Sequence, residues 1–178
     1  MTGVAVALDD GGGGDASDDF ATWVHARGPA LLRFAHLATG GSPDAADLVQ
    51  EALVAAYPRW SRLARTATAE AYVRRSIVNA SVSRWRRDRR LVSVADPEPH
   101  GSVLADPAEG LTDSTVAWDL CRTLPPVQRA AVVLRFFEDR TFAEVAAVLG
   151  CREATARSHV HRALAALRTR LAEEGDDD

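Results

Sequence analysis

Residues 91–113 divide this chain. The stretch LVSVADPEPHGSVLADPAEGLTD holds Pro97, Pro99 and Pro107, two glycines and five acids with no lysine or arginine. Proline removes a backbone donor and clashes with the preceding helical turn, so no helix crosses such a segment. On both sides apolar residues recur at helical spacing, and no stretch alternates with the period of two that a half-buried strand requires. At 178 residues the chain is long enough for one domain or two small ones. The fold expected is all-α: two small helical domains, residues 19–90 and 114–172, joined by a flexible acidic linker at 91–113. Residues 1–18, Gly- and Asp-rich and without periodicity, read as a disordered acidic tail, and 173–178 as a second acidic tail.

The first half carries three helical patterns. Phe20 to Thr39 places Phe20, Trp23, Leu31, Phe34 and Ala38 on one side, with a break expected at Gly28-Pro29 and a stop at Gly40-Gly41. Ser42-Pro43-Asp44 reads as a second start, with a capping hydroxyl, a proline at the first helical position and an acid near the positive dipole end. In that helix Ala45, Leu48, Val49, Ala52, Leu53 and Ala56 form the apolar stripe, and Asp47, Gln50 and Glu51 lie off it. After Pro58 a basic connection, PRWSRLARTAT, leads to a long third helix. There Val73, Ile77, Ala80 and Trp85 can pack inward while Arg75, Asn79, Arg86 and Arg90 share the opposite face.

That face explains a charge pattern the totals hide. The formal charge is −4, yet residues 59–90 carry ten arginines against Glu70 and Asp88. Residues 118–172 carry nine arginines against five acids, and acidic stretches separate and flank the two blocks. Segregation of this kind points to a polyanionic partner in spite of the acidic total. Every basic residue is arginine, whose guanidinium suits bidentate contacts to phosphates and bases. A codon bias toward Arg and Ala explains the same preference.

The second half holds the sharper signal. Val116, Leu120 and Leu124 lead to Pro125-Pro126, which opens a helix bearing Val127, Ala131, Leu134 and Phe137. Then TFAEVAAVLGCREATARSHVHRALAALRTRL begins with Thr141 and Glu144 spaced as a capping box. Val145, Ala146 and Leu149 form a short stripe that Gly150 ends, and a longer helix follows with Ala156, Val160, Ala163, Leu164, Leu167 and Leu171 inward. A short helix, a glycine turn and a longer helix make a helix-turn-helix. The outward residues at its leading edge are Arg152, Thr155, Arg157, Ser158 and Arg162, side chains able to bond phosphates or base edges in a major groove. His159 and His161 are read as DNA-facing or exposed residues, with pH sensing as the alternative.

Three stretches carry a resemblance to a known family. DAADLVQEALVAAYPRW, AYVRRSIVNASVSRWRRDRR and LPPVQRAAVVLRFFEDRTFAEVAAVLGCREATARSHVHRAL resemble, in that order, the polymerase-gripping segment of region 2, the −10-reading helix of region 2, and region 4 of an extracytoplasmic-function sigma factor of the sigma-70 family. The likeness is close to the actinobacterial SigE-type group. It implies an alternative sigma factor that binds bacterial core RNA polymerase, recognises the −10 and −35 promoter elements and promotes melting. By resemblance Asp47, Gln50 and Glu51 would bind the polymerase. Arg59, Arg62 and Arg65 would hold the flipped −10 base and its neighbours. Arg75, Asn79, Arg84, Arg86, Arg87, Arg89 and Arg90 would hold the opened strand. Arg152, Thr155, Arg157, Ser158, His159 and Arg162 would face the −35 duplex. The linker would either pass through the polymerase's RNA path or serve as a solvated tether, and an anti-sigma factor is a further partner the resemblance allows. Departures at Arg152, Ala154, Ala156 and His159 bear on the −35 sequence preferred.

The rival from another class is a stand-alone helix-turn-helix regulator of duplex DNA. It would carry a ligand or phosphoacceptor domain in the N-terminal half, where no such pocket is legible. An enzyme is not expected: there is no paired acidic metal site, P-loop or nucleophile with a base nearby. No cofactor or metal is expected either. Cys121 and Cys151 lack a metal-site spacing and read as two small thiols in a reducing compartment. No apolar run is long enough to span a bilayer and no secretory leader is legible, so the expected location is the cytoplasm.

Overall fold

The computed structural model describes residues 13–66, 68–92 and 114–175. The expected linker, apart from its first two residues, most of the N-terminal tail and half of the C-terminal tail lie outside them. Eight α-helices follow in order: α1 (Gly13–Thr39), α2 (Ala45–Ala56), α3 (Trp60–Arg65), α4 (Ala69–Val92), α5 (Ser114–Arg122), α6 (Pro126–Val132), α7 (Phe142–Leu149) and α8 (Glu153–Gly175). A 3₁₀ turn, Tyr57–Arg59, joins α2 to α3, and a π-helical turn, Val133–Phe137, prolongs α6. There is no strand among the described residues.

Several local expectations need correction. Helix α1 begins at Gly13, inside the expected tail, because Ala16 and Phe20 already pack against the core. It also runs through Gly28-Pro29 without ending. Pro29 is exposed, as is His25, whose carbonyl loses its helical donor and remains open to water. Ser42 is not the cap of α2: the helix starts at Ala45 after Asp44, and the Ser42 hydroxyl accepts the Asp44 N–H at 3.2 Å in the preceding turn. The basic connection is a short helix, α3, that buries Trp60 and Leu63. Phe137, expected inward, is 57% exposed beside Phe136. The π-helical turn inserts about one extra residue per turn and so rotates the stripe away from the core. Leu171 is also exposed, lying beyond the neighbours that cover the earlier turns of α8.

The core is shared by the two halves. Leu31, Phe34, Leu48, Val73 and Ile77 belong to one buried cluster with Val133, Leu134, Val145, Ala156 and Val160. Phe34, Val73, Ile77, Val133, Leu134 and Val145 are fully enclosed. Phe20, Trp23, Tyr57 and Trp60 close the cluster at one end, with ring centroids 5.1–5.3 Å apart. A smaller cluster of Cys121, Leu124, Val132 and Ala163 ties α5 and α6 to α8. Both cysteines are free, and burial pushes their thiols above the ordinary value.

Candidate nucleic-acid interface

Helix α4 sorts its residues as its period demands. Val73 and Ile77 face the core, while Arg75, Asn79, Arg86, Arg87, Arg89 and Arg90 are exposed. Arg89 also lies over the Trp85 ring, 4.9 Å from its centroid. Arg84 is placed differently. Its guanidinium turns toward α2 and pairs with Asp44 and Glu51, each at 2.8 Å. Burial works against the charge of Arg84, but the hydrogen bonds and charges of Asp44 and Glu51 outweigh it and hold the group above the ordinary arginine value. Asp47, Gln50 and Glu51 are all exposed on α2. Thus the expected polymerase-binding face lies beside the basic face of α4, with Arg84 bridging them. The open cleft at this junction, about 440 Å³, is lined by Asp44, Glu51, Arg84, Arg87 and Asp88 among others.

A second cleft of about 470 Å³ opens between α3 and α4. Its floor is apolar, from Leu63, Ala71 and Tyr72, and its rim carries Arg62, Arg75 and the Thr66 and Thr68 hydroxyls. The two hydroxyls hydrogen-bond each other at 2.7 Å. An apolar floor with hydroxyls and guanidinium groups at its edge suits a base whose sugar-phosphate lies outside. Arg59 and Arg65 are exposed nearby in sequence, and Arg59 Nη1 donates to the Ala55 carbonyl at 3.0 Å.

The helix-turn-helix is α7 and α8. Thr141 and Glu144 form the reciprocal capping box expected of them. The Thr141 backbone N–H, its hydroxyl and Arg140 together hold the Glu144 carboxyl below its ordinary value. Gly150 ends α7 in the left-handed region at φ 66°, a conformation that glycine adopts without steric cost. Arg152, Thr155, Arg157, Ser158 and Arg162 are exposed around the start of α8. Arg157 pairs with Glu153 at 2.9 Å and lies 4.4 Å from the centroid of the Phe142 ring, so it is pre-positioned on the helix pair.

His159 is half-buried, and its Nδ1 is enclosed without a hydrogen-bond partner. Burial first, and then Arg162, lower its pKa below the ordinary histidine value. In the unfolded chain the ring takes up a proton near pH 6.5. The folded chain does so only at lower pH, so stability present above about pH 6.5 is lost on acidification through that window. The urea midpoint of His159→Gln is therefore expected to fall less than that of the parent chain between pH 7 and pH 5; parallel curves would contradict the burial of this ring.

Three residues that matter escape a reading by charge alone. Arg74 is 3% exposed and pairs with Glu70 and Glu138, with its guanidinium 4.8 Å from the centroid of the Phe34 ring. Arg140 joins the same group, donating to Glu70 at 2.7 Å. Arg129 is 7% exposed and donates to the carbonyls of Ala38 at 2.9 Å and Arg122 at 2.7 Å. Burial lowers its pKa to about 10, which leaves it cationic at neutral pH. The available signal was position: Arg74 sits between core residues Val73 and Ile77 with Glu70 four residues before it, and Arg129 opens the apolar run RAAVVL.

An all-helical chain with an exposed basic helix in one half and a capped helix-turn-helix in the other has the architecture of a DNA-binding transcription protein. Known proteins narrow this. Residues 17–91 match the sigma-70 region 2 family and residues 115–167 match sigma-70 region 4. The chain belongs to the sigma-70 family of RNA polymerase sigma factors, in its extracytoplasmic-function branch. It is 39% identical to the RNA polymerase sigma-E factor of Streptomyces avermitilis over 153 residues, 86% of this chain and 85% of that one. It is 32% identical to the extracytoplasmic-function sigma factor SigE of Mycolicibacterium smegmatis, covering 99% of this chain and 70% of the relative. Among solved structures it is similar to the sigma factor RpoE of Bartonella quintana, crystallised with the anti-sigma factor NepR. That likeness has a TM-score of 0.72 and 28% identity, over 87% of this chain and 98% of the other. No helix among the described residues is long and apolar enough to cross a membrane.

Proposed function

We propose that this chain is an alternative sigma factor that binds bacterial core RNA polymerase, addresses it to −10 and −35 promoter elements and promotes strand opening. The observation that carries the reading is the pairing of two distinct DNA-type surfaces on one chain, each within the residues that match the corresponding sigma region. Asp47, Gln50 and Glu51 form the polymerase contact. Arg62, Arg75, Thr66 and Thr68 frame the cleft for a −10 base, with Arg59 and Arg65 on the approach. Asn79, Arg86, Arg87, Arg89 and Arg90 hold the opened strand by its backbone, and such contacts position DNA without reading sequence. Arg84 supports that strand-holding face through its bridge to α2. Arg152, Thr155, Arg157, Ser158, His159 and Arg162 face the −35 duplex. The work is binding and melting in the cytoplasm, with phosphodiester chemistry left to the polymerase. An anti-sigma factor is a fitting further partner, since the similar Bartonella factor was crystallised with one.

The test is a pull-down with purified bacterial core polymerase followed by run-off transcription on a genomic fragment library. Core association with discrete transcripts is the expected result; duplex binding without core association would favour the stand-alone regulator. Within that assay Asp47→Lys is expected to lower core affinity at least tenfold, because a like charge set against a basic partner surface costs several kcal/mol. A folded Asp47→Lys chain with normal affinity would remove this contact.

A further inference from the structure

One guanidinium of the basic block is turned to the acidic helix instead of to solvent. Asp44 lies just before α2 and Glu51 lies two turns along it, so the two carboxylates share one side of the helix. Arg84 reaches both from α4. Its Nη1 pairs with the Asp44 carboxylate and its Nη2 donates to Glu51 Oε1, each at 2.8 Å. The Arg84 side chain is 27% exposed, whereas those of Asp44 and Glu51 are 51% and 59% exposed. Each acid therefore gives one oxygen to Arg84 and keeps the other within reach of a partner. The cleft of about 440 Å³ beside the bridge, walled on α4 by Ser83, Arg87 and Asp88, leaves a long basic side chain room to approach them.

Two effects of Arg84 on that face oppose each other. The first is order. The Asp44 side chain makes no capping bond to the start of α2, and Glu51 stands off the buried stripe of Leu48, Val49 and Ala52. Side chains placed in this way sample several rotamers when unpaired. A partner that binds them has to immobilise them, which weakens affinity about 2- to 12-fold for each. Arg84 fixes both before any partner arrives. The second effect is charge. Asp44, Arg84 and Glu51 together carry one net negative charge, and without the arginine they would carry two. A basic surface is thus attracted more strongly to a face that lacks Arg84. Between exposed groups that attraction is largely screened beyond about 8 Å at physiological salt. The ordering is local and survives screening, so it decides the balance.

We propose that Arg84 is a positioning residue of the polymerase contact: from the DNA-facing helix it holds the carboxylates of Asp44 and Glu51 in the arrangement that the basic surface of the polymerase meets. The inference rests on the proposed polymerase-binding role of this face of α2. It gives a second use to the bridge that supports α4, and it separates Arg84 from the exposed arginines that hold the strand.

The sign of one substitution tests it, with affinity for purified bacterial core polymerase as the readout on the full chain. Arg84→Met keeps the aliphatic stem and removes the guanidinium. It is expected to bind core about fivefold or more weakly than the parent, although the face has become more acidic. Helicity and the urea midpoint should stay close to those of the parent, because ion pairs this open to water add little stability. Arg84→Lys offers a point charge in place of a fork and should fall between the two. In an Asp44→Asn/Glu51→Gln background, itself weaker in binding, Arg84→Met should cause no further loss. Unchanged or tighter binding by Arg84→Met would overturn the positioning. So would an equal loss in both backgrounds, which would show that Arg84 acts without the two acids. Unchanged core affinity with a salt slope of open-complex formation lower by about 0.7 would place Arg84 on the opened strand instead. A parent chain that fails to bind core removes the sigma-factor reading and this inference together; a parent that binds, with Arg84→Met its equal, removes the inference alone.

Discussion

Phe34→Ala is expected to destabilise the folded chain by about 3–5 kcal/mol, the range for deleting a fully enclosed aromatic ring. That is a large share of the roughly 5–15 kcal/mol that separates a native domain from its unfolded state. The ring is completely buried and carries the Arg74 guanidinium on its face. Its loss leaves a cavity in the shared core and also removes the surface against which a nearly buried charge is held. Arg74 still has Glu70 and Glu138, but a less fixed guanidinium at this position weakens the link between α4 and the segment before α7. Two measurements check this. Urea unfolding followed by circular dichroism should show the midpoint fall, and Phe34→Leu, which keeps much of the volume, should lose less. Tryptophan emission, from Trp23, Trp60 and Trp85 in one half and Trp118 in the other, should follow the same transition if the core is cooperative. A loss below about 1 kcal/mol would mean that the ring is not packed as described.

How far the sequence leads differs from element to element. The helix-turn-helix was legible in outline because its signals are local: a capping pair three residues apart, a glycine where the chain turns left-handed, and a 3.6-residue stripe. The basic face of α4 was legible for the same reason. Helix α1 shows the limit, since Pro29 is a strong breaker yet lies on an exposed face where water can serve the freed carbonyl. Register beyond Leu134 could not be read either, because a π-helical turn shifts the stripe and no residue type announces it. The docking of the two halves was the least legible feature. It depends on residues some 70 positions apart, Glu70 with Arg140 and Arg74 with Glu138, and each of them reads alone as ordinary surface charge. Arg84 was misplaced by the same habit: in a run as basic as RWRRDRR nothing local says which guanidinium turns to Asp44 and Glu51.

The Arg86→Ala/Arg90→Ala double variant is expected to lower the salt dependence of open-complex formation. Each phosphate contact contributes about 0.7 to the slope of log affinity against log salt on a single strand and about 0.9 on duplex, so the slope should fall by about 1.4–1.8. Raising salt fourfold, from 50 to 200 mM, should therefore erode the parent's advantage over the variant by about 7- to 12-fold. Both side chains are exposed on α4, on the face opposite Val73 and Ile77, so their removal leaves the core untouched and thermal unfolding should be unchanged. Arg33→Ala on α1 is the control: it is also exposed and removes the same charge from a different face, and should leave the slope as it was. The comparison separates two ways in which arginine can help. A diffuse attraction depends on net charge, so all three arginines would count alike. A contact surface counts only the arginines that touch phosphate. Equal slopes for the double variant and the parent would take the opened strand off α4, and with it the reason for ten arginines between Arg59 and Arg90 in a chain of net negative charge.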